Sequence, residues 1–347
     1  MVIYMDNKFI ELNSKNLLFN YNFFKNQTQK KVIAVVKDNA YGHGLKQVIQ
    51  VLDQHDIEAY AVANLKEATE AIKYTKKDIL ILDKVTDFKK ITEQMILTGT
   101  SLNHLQEMID SKVKIRIHIK INTGMNRKGI FPAELQESLM IINNHPSLKL
   151  EGVYTHYASN KRRNLLKQFE TFKETTKSLN KSKYLIHASS SVSSLSLKEN
   201  HTHACRIGIG LYGLNHRFEV LNKTKPVLSL YTIVSDCTYS EKNNKVGYNY
   251  MYKTPSSGYI ILSPIGYGLG YMIRRNYLAF YKGQYIKQIS RTCMDCCLFF
   301  STKPIEIGSK IELFGEHVKV DNIAKSNKCS PYEIVTLLNK DIKRIVI

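Results

Sequence analysis

The sequence predicts an α/β chain: a (β/α)8 TIM-type barrel with a C-terminal all-β domain. Two observations carry this reading. From residue 32 to about 211, short apolar runs alternate with amphipathic segments, the rhythm of parallel strands joined by crossover helices. After Pro226 the rhythm changes to short alternating runs separated by Gly, Pro, Asn and Ser, which reads as an antiparallel β-domain of about 120 residues.

The strand-like runs, in order, are VIAVV (32–36), AYAVA (59–63), ILILD (79–83), ILTGT (96–100), VKIRIHIKI (113–121), LEGVYTH (150–156), KYLIHAS (183–189) and HACRIGIG (203–210). Between them lie helical patterns such as LKQVIQVLDQ, LKEATEAIKY and FPAELQESLMIINN. Pro132 falls near a first helical turn, where a missing N–H matters least. Eight strands alternating with helices close into a barrel, with a doubly wound open sheet as the competing reading. Residues 1–10 are expected to add a strand to the C-terminal β-domain, leaving 11–225 for the barrel and 226–347 for that domain. VLSLYTIVSDCTY, GYIILSPIG, QYIKQISRTC, CCLFF and KIELFG supply its strands.

Chemistry in such a barrel sits at the C-terminal ends of the strands. Lys37 ends the first run, directly before the polar loop DNAYGHG. A surface lysine after a buried strand is one reading of it; a reactive amine at the mouth of the barrel is the other. His156 ends the sixth run, Ser189 to Ser191 follow the seventh, and Arg206 to Gly210 close the eighth. In the fifth run Lys114, Arg116, His118 and Lys120 alternate with apolar residues, giving one cationic face. An exposed edge strand explains that pattern, and so does a barrel interior with Lys120 aimed at the mouth.

Bulk properties exclude several classes. The 347 residues are 43% hydrophobic and 23% charged, ordinary for a globular chain. No run approaches the roughly 20 apolar residues of a membrane span, and MVIYMDNKFIEL lacks the features of a signal peptide. The cytoplasm is the expected location. Six cysteines in a chain of this size do not form a disulfide framework. Cys293, Cys296 and Cys297 lack a second ligand pair at zinc spacing, so no metal is expected and the thiols are read as buried. The net charge of +20 suits an anionic ligand, but the lysines are scattered and no nucleic-acid recognition motif is present.

AVVKDNAYGHG resembles the cofactor-lysine motif of alanine racemases, with Asp38 where alanine is more usual. The likeness continues in order through KINTGMNRKG (120–129), EGVYTHYA (151–158), RIGIGLYG (206–213), VGYNYMY (246–252), SPIGYGLGY (263–271) and CMD (293–295). It covers nearly the whole chain. The resemblance implies a pyridoxal 5'-phosphate enzyme that interconverts L-alanine and D-alanine by two bases, supplying D-alanine for peptidoglycan. Lys37 would be the cofactor's covalent anchor and the base on one face; Tyr248, from the partner subunit of a homodimer, would be the base on the other. Tyr41, Ser191, Gly208 and Ile209 would hold the phosphate, Arg206 the pyridine nitrogen, and His156 would link Arg206 to Tyr248. Arg127 and the partner-supplied Met294 would bind the substrate carboxylate. Lys120 matches a position carbamylated in many members, and Tyr267 matches the access corridor.

The chain departs from the pattern at Asn122 (usually aspartate), Asn249 (usually glycine) and Leu269 (usually aspartate). The terminal RxPRxY pattern becomes DIKRIV (341–346), with Val346 in place of a tyrosine that helps hold the phosphate. These leave substrate breadth open. A broader serine-type racemase, a barrel-type decarboxylase, a non-catalytic pyridoxal phosphate carrier and a nucleic-acid binder are the alternatives.

Overall fold

The structure is a computed structural model that describes residues 7–215, 218–271 and 277–347. The strand numbering below runs through the described residues. Strand β1 (Lys8–Leu12) precedes a barrel of β2 (Lys31–Val35), β3 (Ile57–Val62), β4 (Ile79–Ile81), β5 (Met95–Gly99), β6 (Ile115–Lys120), β7 (Leu148–Tyr154), β8 (Leu185–His187) and β9 (Ala204–Ile207). All eight are parallel, and β9 returns to β2 through Lys31↔Ala204 to Ala34↔Ile207, so the sheet closes. Closure removes the open-sheet alternative.

Alternation along the strands sorts the side chains. Ile33 and Val35 of β2 meet Ala59, Ala61, Leu80, Ile96 and Ala204 in a small cluster lining the barrel interior. Their neighbours in sequence, Val32 and Ala34, join the main core between strands and helices. On β6, Ile115, Ile117 and Ile119 are buried in that core, so Arg116, His118 and Lys120 face the other way. The cationic face of this strand therefore lies inside the barrel. Arg116 forks onto Asp78 at 2.6 and 2.7 Å and reaches Glu151 at 2.7 Å, tying three strands together below the mouth.

The C-terminal strands are β10 (Leu228–Ile233), β11 (Asp236–Ser240), β12 (Lys245–Val246), β13 (Tyr252–Lys253) and β14 (Gly258–Ser263). They continue with β15 (Leu278–Tyr281), β16 (Gln284–Gln288), β17 (Cys297–Ser301), β18 (Lys310–Phe314) and β19 (Lys343–Val346). Nine strands form one sheet in the order β11-β14-β17-β16-β15-β18-β10-β1-β19. Strand β1 pairs antiparallel with β10 and parallel with β19; residues 1–6 lie outside the described residues. The domain is not purely strand. Two helices, Val320–Asn327 and Pro331–Thr336, separate β18 from β19. The second starts at Ser330, whose amide donates to Glu333 Oε1 at 3.0 Å, with Pro331 in its first turn, a helix signal stronger than the surrounding strand rhythm.

Cys205 and Cys297 are buried, the other four cysteines are half-buried, and all six are free thiols. Among the described residues no helix is long and apolar enough to cross a membrane, and no cluster of His, Cys, Asp or Glu is arranged to hold a metal ion.

Candidate active site

A cavity of about 990 Å³ opens at the C-terminal mouth of the barrel. Its wall holds five cations, Lys37, Lys120, Arg127, Lys128 and Arg206, against two carboxylates, Asp38 and Asp83. Such a surplus in a concave site favours an anion.

Lys37 follows β2 and begins an unusual turn. Asp38, Asn39, Ala40 and Tyr41 all take φ near +53°, one left-handed turn in succession. L-residues resist this conformation, so the surroundings must impose it. The Asp38 amide donates to Glu67 Oε1 at 2.7 Å, and the Asn39 side chain accepts from the Leu45 amide at 2.9 Å. Gly42 (φ +79°) then packs so closely on the helix Pro331–Thr336 that a Cβ would lie 1.9 Å from the Val335 carbonyl oxygen. The turn leaves the Lys37 amine 3.4 Å from Asp38 Oδ2 and points Tyr41 into the cavity. Burial holds the Tyr41 phenol well above its ordinary value, so it remains a donor.

Across the mouth, Ser191 Oγ accepts from the Gly208 and Gly210 amides at 3.2 and 3.1 Å. A Cβ on Gly208 would sit 2.7 Å from the Tyr41 hydroxyl oxygen. Tyr41, Ser191, Gly208 and Ile209 thus form one cradle of hydroxyls and backbone, the donor set a phosphate needs. The buried Ser189 hydroxyl beside it has no partner among the described residues.

Arg206 lies beneath, only 4% exposed. Its guanidinium donates to the Thr155 and Ala188 carbonyls at 2.6 and 2.7 Å and to His187 Nδ1 at 2.8 Å, and stands over the Tyr154 ring. A guanidinium has no acceptor. His187 must therefore accept through Nδ1 and donate from Nε2 to His118 Nδ1, 2.9 Å away. Burial keeps both histidines neutral, pulling His118 down to about 4 and His187 well below its ordinary value. His156 accepts a longer contact from Arg206, at 3.4 Å. Burial, with Arg206 and Lys120 nearby, lowers it to about 3. Burial likewise brings Lys120 down to about 8, helped by Arg127 and Arg206.

Nine of the residues singled out by sequence meet at this cavity: Lys37, Tyr41, Lys120, Arg127, His156, Ser191, Arg206, Gly208 and Ile209. Three do not. Tyr248, Tyr267 and Met294 are 76, 46 and 57% exposed, on the β-domain. They share one neighbourhood: the Tyr267 and Gly268 amides donate to the Cys293 and Met294 carbonyls, and Gly247 packs on Ser290. Sequence reasoning gave no role to His187, His118, Asp83, Lys128, Tyr332 or Thr336. Asp83, last in its strand-like run, carried the strand-end signal and pairs with Lys128 across the mouth. Tyr332 and Thr336, on the helix Pro331–Thr336, carried none, because an all-β reading of that segment brings nothing to the barrel.

Three of the departures have local explanations. Asn122 accepts from the Gly124 and Asn126 amides at 3.2 and 3.0 Å and closes the loop bearing Arg127. Asn249 takes φ +54°, which asparagine tolerates better than most residues. Leu269 packs on the core.

The family model for the alanine racemase N-terminal domain matches residues 12–216, and that for the C-terminal domain matches residues 227–346. The chain belongs to the alanine racemase family. It is 31% identical over 333 residues to alanine racemase 1 of Bacillus subtilis, covering 90% of this chain and 86% of that one. It is 30% identical over 361 residues to alanine racemase of Borreliella burgdorferi, covering 97% and 96%. Among solved structures, alanine racemase of Clostridium difficile superposes with a TM-score of 0.91 at 27% identity, covering 99% of this chain and 96% of that one. A histidine racemase from Leuconostoc mesenteroides shares the fold, with a TM-score of 0.92 at 22% identity over 99% of both chains.

Proposed function

We propose that this family member is a pyridoxal phosphate-dependent racemase of alanine, acting as a cytoplasmic homodimer whose sites are completed by the partner, and that its product serves peptidoglycan synthesis. The observation that carries the reading is the convergence of Lys37, Arg206 and the Ser191–Gly208–Tyr41 cradle on one cationic cavity. The donor set fits the cofactor: a cradle for a dianion, an amine for an aldehyde, and a guanidinium for a ring nitrogen. Bound there, pyridoxal phosphate would supply the electron sink that makes the substrate's α-proton removable.

The chain's own residues then divide the work. The Lys37 amine takes or returns the α-proton on one face. Arg206, a permanent donor, holds the ring nitrogen unprotonated, which weakens the sink and favours return of the proton over side reactions. His156, kept neutral by burial and by the Arg206 cation beside it, would stand between Arg206 and the oxygen of the partner subunit's Tyr248, the base assigned to the second face. Arg127, with the Met294 loop of the partner subunit, orients the substrate carboxylate. Tyr267 borders the path of access. Lys120, largely neutral above about pH 8, is suited to take up carbon dioxide and turn a cation beside Arg127 into an anion. Six free thiols fit a reducing compartment.

The test is incubation of the purified protein with L-alanine, and separately with L-serine, in deuterium oxide. Exchange of the α-proton with formation of D-alanine, abolished by Lys37→Ala, is the expected result; the rate with serine measures substrate breadth. A bound cofactor with no exchange from either amino acid would reject the proposal in favour of a carrier.

A further inference from the structure

Arg344, on the last strand, is bound in an unusual way. Its Nε and Nη2 both donate to the Gly42 carbonyl, at 3.0 and 2.9 Å. Its other bonds run to the carbonyls of Asn339 (3.2 Å), Lys340 (2.9 Å) and Ile342 (2.6 Å), in the turn that leads into β19. Every one of these acceptors is backbone. A guanidinium most often spends its fork on a carboxylate; this one joins two stretches of main chain from different domains, 302 residues apart in sequence.

The site is shaped on both sides. A Cβ on Gly42 would collide with the Val335 carbonyl, and one on Gly44 would lie 2.7 Å from Arg344 Cδ. Both glycines have positive φ, at +79° and +105°. The two glycines of the YGHG segment therefore form the seat into which the C-terminal helix and Arg344 fit. The loop above that seat is the left-handed turn Asp38–Tyr41. Its ends are fixed by the Gly42 amide on the Asp38 carbonyl (3.0 Å) and the Gly44 amide on the Asn39 carbonyl (2.9 Å). A turn whose residues all resist their own conformation relaxes unless something outside it holds it.

We propose that Arg344 is a positioning residue. It straps the β-domain to the Gly42 carbonyl and so holds the left-handed turn that presents Lys37 and Tyr41 to the cavity. The strap itself is independent of the reaction; only its consequence for the cofactor rests on the function proposed above. It also gives the C-terminal strand a task within its own subunit, separate from anything that the domain offers a partner.

The test uses the full chain with Arg344→Met and Arg344→Lys. In protein stripped of cofactor, amide hydrogen exchange in residues 37–45 of the methionine variant is expected to rise about tenfold or more, while β4 and β5 stay as protected as before. The lysine variant, with one donor in place of a fork, is expected to lie between, and it carries the test if the methionine chain does not fold. Pyridoxal phosphate should then dissociate from the methionine variant about tenfold more readily. Unchanged exchange in 37–45, or an equal rise throughout both domains, would overturn the strap. Faster exchange confined to 37–45 with unaltered cofactor binding would uphold the strap and refute the assignment of Lys37 and Tyr41 to the cofactor.

Discussion

Lowering the pH from 7 to 5.5 is expected to destabilise this protein before most carboxylates titrate. The cause is its buried neutral histidines. His43 is fully buried and held at about 3, chiefly by desolvation; His118, also buried, is held at about 4 for the same reason. In the unfolded chain both return to about 6.5. Each is a base with a depressed folded pKa, so below pH 6.5 the unfolded state binds protons that the folded state refuses. Stability is fully present above 6.5 and falls as the pH drops toward the folded values. By pH 5.5 each group withdraws about 1.4 kcal/mol, so the pair withdraws about 3 kcal/mol from a total of ~5–15 kcal/mol. His187 and His156 act in the same direction. Urea unfolding at pH 7.0, 6.5, 6.0 and 5.5, at one protein concentration because the proposed dimer would couple folding to association, should show a steadily falling midpoint. His43→Asn, which keeps a donor toward the Tyr41 carbonyl, should reduce the slope by about one proton. A midpoint independent of pH over this range, or an unchanged slope in the variant, would refute the neutral-histidine account. Within the folded chain His187 stays neutral over this range, so its bond to Arg206 persists as long as the fold does.

Three further outcomes follow from the site. Gly208→Ala places a Cβ 2.7 Å from the Tyr41 oxygen; cofactor affinity is expected to fall about tenfold with little change in thermal midpoint, because only the end of one side chain must move. Equilibrium dialysis against pyridoxal phosphate checks it. Arg116→Met leaves Asp78 and Glu151 facing each other without their shared cation and should cost about 2 kcal/mol in urea unfolding; a loss below about 0.5 kcal/mol would mean that solvent already screens the group. With carbon-13 bicarbonate at pH 8, a carbamate carbonyl signal should appear in the nuclear magnetic resonance spectrum and vanish in Lys120→Ala, following from the amine held at about 8.

The barrel was legible because its strands are buried on both faces and its helices on one, so VIAVV or ILILD differ from LKQVIQVLDQ by period alone. The cationic face of β6 was legible as a pattern, while its location inside the barrel required a closed sheet. The left-handed turn was not legible. Asp, Asn, Ala and Tyr carry no common signal for positive φ, and the contacts that impose it come from Glu67, Val335 and Arg344, far away in sequence. For the same reason Arg344 read as the remnant of a terminal pattern, and only the fold reveals what it grips. His187 ended an ordinary strand-like run; its tie to Arg206 depends on the β8–β9 register. Tyr248, Tyr267 and Met294 are the opposite case. Motif resemblance named them, yet within one chain they stand exposed and away from the cavity.

That separation makes the shared site the central claim, and subunit complementation tests it most directly. Lys37→Ala and Tyr248→Phe chains, each inactive in racemisation alone, are unfolded, mixed in equal amounts and refolded together. In a symmetric dimer with shared sites, half of the dimers are mixed and each contains one site with both bases intact, so about one quarter of wild-type D-alanine formation should return. Activity that stays at the level of the separate variants, although mixed dimers form, would contradict a site built from two subunits.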